Sequence, residues 1–364
     1  VFIKRGDFLL VAMNKKELVL AANAAAGDGY YCPACQQPVY LRRGRSKVAH
    51  FAHRPGADCA VSEGETSEHL RGKQQLFNYF QAQGLRPRLE VYLPAINQRP
   101  DILVWRDRRL VAVEFQCSPL TVARLQARNE GYYQLGIKPV WLLGQPYRHH
   151  LSAAKVAQFT QIIADQPTVP YWNTRRCQIE YRRSFRRCSF VRGRPSVTKL
   201  LQQQVLALTR TGSANDLVRR LTATAYETVQ QPLAHCPLVC HDLVPTWPTT
   251  RVAVIYWRIA VLLALRTQPL FTAWSPAEWQ HWLWQCGRPY WLDFACAPPS
   301  VRGTVINEFT LDLLAVRVIC QCGDHYVLFC HPSWFTDLAA KNASLAAAPM
   351  IHTQNRVELL AKER

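Results

Sequence analysis

The chain has 364 residues, 49% of them hydrophobic, and carries 44 Lys and Arg against 25 Asp and Glu, a formal net charge of +19. That hydrophobic share excludes disorder as the dominant state, and the length exceeds one average domain and suits two or three. So basic a chain is expected to meet a polyanion, with nucleic acid the first candidate and an anionic membrane surface the second. The most apolar stretch, Val252 to Leu265, is shorter than the roughly 20 residues of a spanning helix and carries Arg258 at its centre, so a buried core helix without membrane insertion is expected there. The opening Val1-Phe2-Ile3-Lys4-Arg5 turns to charge too early for a signal peptide, and the 13 cysteines then fit a reducing, cytoplasmic protein.

Phe8 to Met13 and Glu17 to Ala22 read as two short strands around a polar Asn14-Lys15-Lys16 break. Residues 30–60 are rich in Cys, His, Pro, Gly and Arg, show little periodicity and need a staple. Cys32-Pro-Ala-Cys35 is followed by His50-Phe-Ala-His53 and then Cys59, which puts five N and S ligands within 28 residues. A tetrahedral Zn²⁺ site takes four. The preferred set is Cys32, Cys35, Cys59 and one histidine, with His53 ahead of His50. Zinc would supply folding energy that so polar a segment lacks.

Thr66 or Ser67 can cap a helix over 66–83 that Gly84 ends, with Leu70, Phe77 and Phe80 on one stripe. Three strand-like runs follow, Arg88–Leu93, Asp101–Trp105 and Leu110–Phe115, the last two joined by a hairpin turn at Asp107-Arg108-Arg109. A helix is expected over Pro119 to Leu135, with Pro in its first turn and Gly136 after its end, and then a buried strand over Pro139–Leu143. The order helix, strand, strand, strand, helix, strand implies an α/β layer with a small central sheet.

Beyond 145 the pattern is weaker. Residues 171–194 hold eight arginines and one acid, Glu180, interleaved with Tyr171, Trp172, Tyr181, Phe185 and Phe190. They form either a solvated linker or a surface on which arginines hold phosphates and rings stack bases. Residues 196–296 read as mainly helical, 301–331 alternate as a terminal strand pair would, and the Ala-rich last 25 residues suggest a helix and tail. Cys236, Cys240 and His241, and Cys320, Cys322, His325 and Cys330, lack firm ligand spacing and are read as thiols of the interior.

Asp101 opens one strand of the hairpin, and Glu114 closes the other with Gln116 on the same face. Two carboxylates at one sheet end suit a hard divalent cation, Mg²⁺ or Mn²⁺, which can polarise a phosphate and acidify a water for in-line attack. Here the sequence resembles the PD-(D/E)xK nuclease superfamily: Pro100-Asp101 matches PD, and Glu114-Phe115-Gln116 matches (D/E)xK with Gln in place of Lys. The resemblance implies a further acid from the preceding helix, Glu68 with Glu65 as fallback. It also implies that Arg128 and Tyr132 of the following helix lie near metal and DNA.

Cys-Pro-x-Cys, His-Phe-Ala-His, Ser67-Glu-His-Leu-x-Gly-Lys73, Gln98-Arg-Pro-Asp-Ile-Leu103 and Glu114-Phe-Gln-Cys-Ser118 together resemble the competence protein CoiA family over roughly residues 8–145. That resemblance implies an α/β fold: a restriction-endonuclease-like core, a zinc-finger-like N-terminal segment and a mainly helical C-terminal region, bounded as 1–62, 63–165 and 166–364. It implies a DNA-processing factor of natural transformation that meets incoming single-stranded DNA, with recombination proteins as partners. Asp101, Glu114, Gln116 and Glu68 would form the catalytic group, and Lys73, Arg99, Arg128 and Tyr132 would face DNA. Gln116 carries no charge, so a non-catalytic DNA-binding factor that keeps the fold stands beside a Mg²⁺-dependent deoxyribonuclease.

Overall fold

The computed structural model describes residues 8–15, 17–44, 48–55, 57, 59, 66–149, 151–183, 197–210, 215–242 and 247–347. The chain divides into two compact units: residues 1–183 with 294–297, and residues 184–293 with 298–364.

The first unit opens with an antiparallel sheet of β1 (Phe8–Leu9), β2 (Val11–Asn14), β3 (Glu17–Leu20), β4 (Tyr30–Tyr31), β5 (Pro38–Arg42) and β6 (His50–His53), ordered β1-β6-β5-β4-β2-β3. Its small core gathers Leu9, Ala12, Tyr30, Val39 and Phe51. The expected pair of N-terminal strands is present, with Asn14 opposite Glu17 across the turn.

Helix α1 (Ser67–Ala82) begins where Thr66 Oγ1 accepts from the His69 N–H at 3.2 Å. It ends at Gly84, whose φ of 74° continues the chain in the left-handed region. The second sheet comprises β7 (Arg88–Leu89), β8 (Ile102–Arg106) and β9 (Arg109–Gln116), then α2 (Val122–Gln134) crossing to β10 (Lys138–Leu143), then α3 (Ala153–Phe159), β11 (Gln161–Ile163), β12 (Gln166–Asn173) and β13 (Gln178–Arg182). Its strand order is β11-β12-β10-β9-β8-β7, with β13 on β12. The β9–α2–β10 crossover makes β9 and β10 parallel, whereas β7, β8 and β9 are antiparallel. The sheet buries both faces: Leu70, Leu76 and Phe80 of α1 pack with Ile102, Val113 and Phe115, and Tyr132 of α2 packs with Leu103 and Ala112.

Several expectations shift. The run 88–93 is strand only over Arg88–Leu89, because Glu90 takes φ 50° and its N–H donates to the Asp101 carbonyl at 3.1 Å. Helix α2 starts at Val122 and not at Pro119, because Thr121 Oγ1 caps it by accepting from the Arg124 N–H at 3.2 Å. The boundary expected at 165/166 falls after 183, since β12 and β13 belong to the second sheet. Tyr171 and Trp172, read as base-stacking candidates, are core residues: Trp172 Nε1 donates to Gln75 Oε1 at 3.1 Å. Phe185, Phe190 and the arginines of 184–194 lie outside the described residues.

The second unit holds α4 (Val197–Thr209), α5 (Asp216–Val229), α6 (Val254–Arg266), β14 (Ala273–Trp274), α7 (Pro276–Gly287), α8 (Gly303–Ala315), β15 (Ile319–Cys322), β16 (His325–Leu328) and α9 (Leu338–Ala347). Helix α6 is the expected core helix. Its buried Arg258 donates through Nη1 to the His241 carbonyl at 3.1 Å and to Asp312 Oδ2 at 2.8 Å. The alternating run from 301 is only partly strand. Val305, Ile306, Phe309 and Leu313 share one buried helical face of α8, and the strand pair is confined to β15 and β16. Among the described residues, no helix is long and apolar enough to cross a membrane.

Gly72 is where α1 lies closest to β9: a Cβ there would overlap the Phe115 ring. Gly72→Ala should therefore cost about 1–3 kcal/mol through overpacking, outweighing the gain of up to about 1 kcal/mol from helix propensity. The check is a lower urea midpoint than wild type; an unchanged or raised midpoint would contradict this packing.

Candidate functional site

The first centre is built by a knuckle between β4 and β5. The Cys32 N–H donates to the Gln37 carbonyl and the Gln36 N–H to the Cys32 carbonyl, both at 2.9 Å, which curls Cys32 and Cys35 toward one point. Strand β6 sets His53 opposite Val39, next to that knuckle. The ligand atoms of Cys32, Cys35, His53 and Cys59 all lie within 4.8 Å of one another, and Cys35 Sγ is 3.3 Å from His53 Nε2. Three thiols and one imidazole form a donor set that can hold a metal such as zinc.

His50 is the surplus fifth ligand. A spacing of three along a strand sends its ring to the opposite face from His53. There Nδ1 meets the Val48 carbonyl at 2.8 Å, and Phe8 packs edge-on at 4.6 Å. Burial pushes the Cys32 thiol up, while the amides of Cys35 and Ala34 and the positive charge of Arg99 draw it back. Arg99, expected to face DNA, is thus half-buried beside the thiol cluster.

The second centre lies where β8 begins and β9 ends. Ile102 pairs with Val113, so the register places Asp101 next to Glu114. Each carboxylate has its own partners. Asp101 Oδ2 accepts from the Phe115 N–H at 2.8 Å and meets His69 Nε2 at 3.0 Å, and Oδ1 is 3.7 Å from Lys73 Nζ. Burial alone would raise the Asp101 carboxyl, but His69, Lys73 and the Phe115 amide hold it well below the usual carboxylate range. Glu114 Oε1 accepts from Arg128 Nη2 at 2.5 Å and from the Tyr132 hydroxyl. Arg128 and Tyr132 reach it together because residues four apart share a helix face. Burial and the negative charge of Glu114 raise the Tyr132 phenol well above its ordinary value.

Gln116 is buried, and its Nε2 donates to the Ser118 carbonyl at 2.6 Å. Glu68 sits at the same end of the sheet, where its Oε1 accepts from the Gln145 N–H at 2.8 Å. Glu65 lies outside the described residues. Lys73, expected to face DNA, is 1% exposed, and its ammonium is held between Glu90 and Asp101. Among the described residues, the carboxylates of Glu68, Asp101 and Glu114 do not close into a three-ligand group, nor do the cysteines and histidines near 236–241 and 320–330.

Two residues of this centre escaped the sequence reading. His69 stands one turn before Lys73 on α1, inside the Ser67-Glu-His-Leu-x-Gly-Lys73 segment, and the i, i+4 pairing of the two polar groups was the signal for its place beside Asp101. Glu90 looked like the polar position of an alternating strand. Its turned backbone instead buries the carboxylate, which accepts from the Leu10 and Val11 N–H groups at 2.8 and 3.1 Å and from Lys73.

The family description "Competence protein CoiA, nuclease-like domain" matches residues 65–189, and "Competence protein CoiA, N-terminal domain" matches residues 12–62. Competence protein CoiA of Bacillus subtilis (strain 168) is 39% identical over 116 residues, 32% of this chain. The matched segment spans only 31% of that relative's length. No solved structure matches the chain.

The two histidines of β6 separate in a metal-content measurement. His53→Ala should lose most zinc from protein purified without chelator, as read by elemental mass spectrometry, whereas His50→Ala should keep it. Equal retention by the two variants would remove His53 from the ligand set.

Proposed function

We propose that this chain, which belongs to the competence protein CoiA family through residues 12–62 and 65–189, is a DNA-processing factor of natural transformation. Its residues 65–183 serve as a PD-(D/E)xK core that cleaves phosphodiesters of incoming DNA and promotes its recombination. The observation that carries this reading is the register of β8 and β9, which sets Asp101 beside Glu114 at one end of a hairpin held between α1 and α2.

The oxygen-only donor set of Asp101 and Glu114 fits Mg²⁺ or Mn²⁺. Such an ion supplies polarisation of the phosphoryl oxygens and an acidified water. The protein's own groups do the rest. His69 and the Phe115 amide fix the orientation of Asp101 and keep it anionic. Lys73 holds Asp101 from inside, not through DNA contact. Arg128 and Tyr132 aim Glu114, and Gln116 can orient a water once its amide leaves the Ser118 carbonyl. Glu68 contributes a further acid at the same sheet end.

A second reading is favoured by one contact. With Gln116 Nε2 spent on Ser118, no charged group occupies the position where the superfamily motif has lysine. The protein then binds and presents DNA without cutting it.

Labelled single- and double-stranded DNA incubated with Mg²⁺ or Mn²⁺ separates the two. Wild-type protein should cleave, and Asp101→Ala should cut by roughly a hundredfold less or worse. Equal cleavage by both proteins, or none under any condition, ends the nuclease reading. In that case Glu114→Ala should still support transformation at normal protein level.

A further inference from the structure

At the end of the second sheet remote from Asp101, the β8–β9 hairpin projects an aromatic ring into a field of positive charge. Trp105 is 62% exposed, well beyond what a core tryptophan shows, and pairs across the hairpin with half-buried Leu110. Asp107 and Arg108 both take positive φ, 48° and 59°, as a two-residue turn between Arg106 and Arg109 requires. Arg106, Arg108 and Arg109 are all exposed at this hairpin tip, Arg108 in the turn itself and the Arg106–Arg109 pair on the sheet face opposite Trp105.

The neighbouring strands add to the same edge. Arg88 of β7, opposite Leu103, and Lys138 of β10, opposite Val111, are both exposed. Four adjacent strands therefore each end in a cation at one rim of the sheet. The acid at the turn, Asp107, lies 3.6 Å from Arg106 and offsets only part of this charge.

A bare indole next to a hairpin tip that carries exposed guanidinium groups on both faces has the chemistry of a platform for unpaired nucleobases: the ring offers a π-face to a base, and the arginines take the phosphates of a strand passing over the tip. A duplex offers phosphates but keeps its bases stacked inside, so it gains from the charge and not from the ring. We propose that Trp105 with Arg106, Arg108 and Arg109 forms a single-stranded-DNA contact site. It lies about 13 Å along the strands from Asp101 and Glu114, four residues at roughly 3.3 Å each. This rests on the reading that DNA is what the chain acts on, and it gives that DNA a contact on this hairpin.

Fluorescence anisotropy of a labelled single strand and of its duplex, without added divalent cation, tests the site on the full chain. Trp105→Ala should weaken single-strand binding roughly 5- to 150-fold while leaving duplex binding near wild type. Trp105→Phe should restore most of the loss, and Trp105→Leu should not. The double change Arg108→Ala with Arg109→Ala should flatten the log K against log salt slope by about 1.4 on single strands. Single-strand binding by Trp105→Ala equal to wild type overturns the proposal. So does a wild type that self-associates on size exclusion while Trp105→Ala is monomeric with unchanged DNA affinity, which makes the ring a contact between copies. A wild type that binds the strand through Trp105 but never cleaves leaves the hairpin standing while the nuclease reading falls; a wild type that binds neither DNA form removes both.

Discussion

The ammonium of Lys73, sealed between the carboxylates of Glu90 and Asp101, is the contact on which the N-terminal unit depends. A buried lysine is tolerable only if its charge is matched and its donors are used. Glu90 provides the match, and its second oxygen takes the Leu10 and Val11 N–H groups at the entry to β2. The same carboxylate thus ties the sheet that carries the thiol cluster to the helix that carries His69. The seat of the first sheet and the orientation of Asp101 are fixed by one network, which is a physical reason for the two family segments to occur side by side in one unit.

Asp101 and Glu114 are neighbours by register, and two ionised carboxylates at that separation repel unless each is compensated. The protein compensates them separately. Asp101 leans on α1 through His69 and Lys73, and Glu114 leans on α2 through Arg128 and Tyr132. The hairpin is held from both faces, so each acid is positioned by a different helix. A divalent cation taken up between them would compete with protein cations already there, and cation uptake and side-chain rearrangement become one event.

Local signals carried much of this into the sequence. Thr66 as a cap, Gly84 and Gly136 as helix stops and the turn at Asp107-Arg108-Arg109 are short-range chemistry, and they bound the elements on either side of Asp101 and Glu114; the Thr121 cap was passed over because Pro119 offered a helix start two residues earlier. The knuckle was legible too, because ligand spacing is a covalent fact; only the choice between His50 and His53 waited on which face each takes in β6. What stayed hidden depends on contacts far apart in the chain. Glu90 meets Leu10 and Val11 across about 80 residues, and nothing in Arg88-Leu89-Glu90-Val91 announces that meeting. The same holds for Trp172, whose position among arginines suggested a surface until strand pairing placed it in the core. Helix α8 was misread because Val305, Phe309, Leu311 and Leu313 fall at the odd positions of an alternating run, while Val305, Ile306, Phe309 and Leu313 also share one helical face.

Gln116 is best understood through the charge count around it. The second centre holds four carboxylates, Glu68, Glu90, Asp101 and Glu114, against two permanent cations, Lys73 and Arg128, with His69 adding a third when protonated. With His69 protonated the cluster is one charge negative, a balance that favours a cation. A lysine at 116 would bring that balance to zero inside a buried site, beside an arginine already engaged with Glu114. Glutamine avoids the extra buried charge and finds its partner in the Ser118 carbonyl. The positive charge of the centre stands on the flanking helices, as Lys73 and Arg128, and not on the strand that carries Gln116, and from there it holds the acids in place. Gln116 thus belongs to a distribution of charge in which both acids are already held by helix-borne cations, so a cation entering between Asp101 and Glu114 would have to draw them away from Lys73 and Arg128.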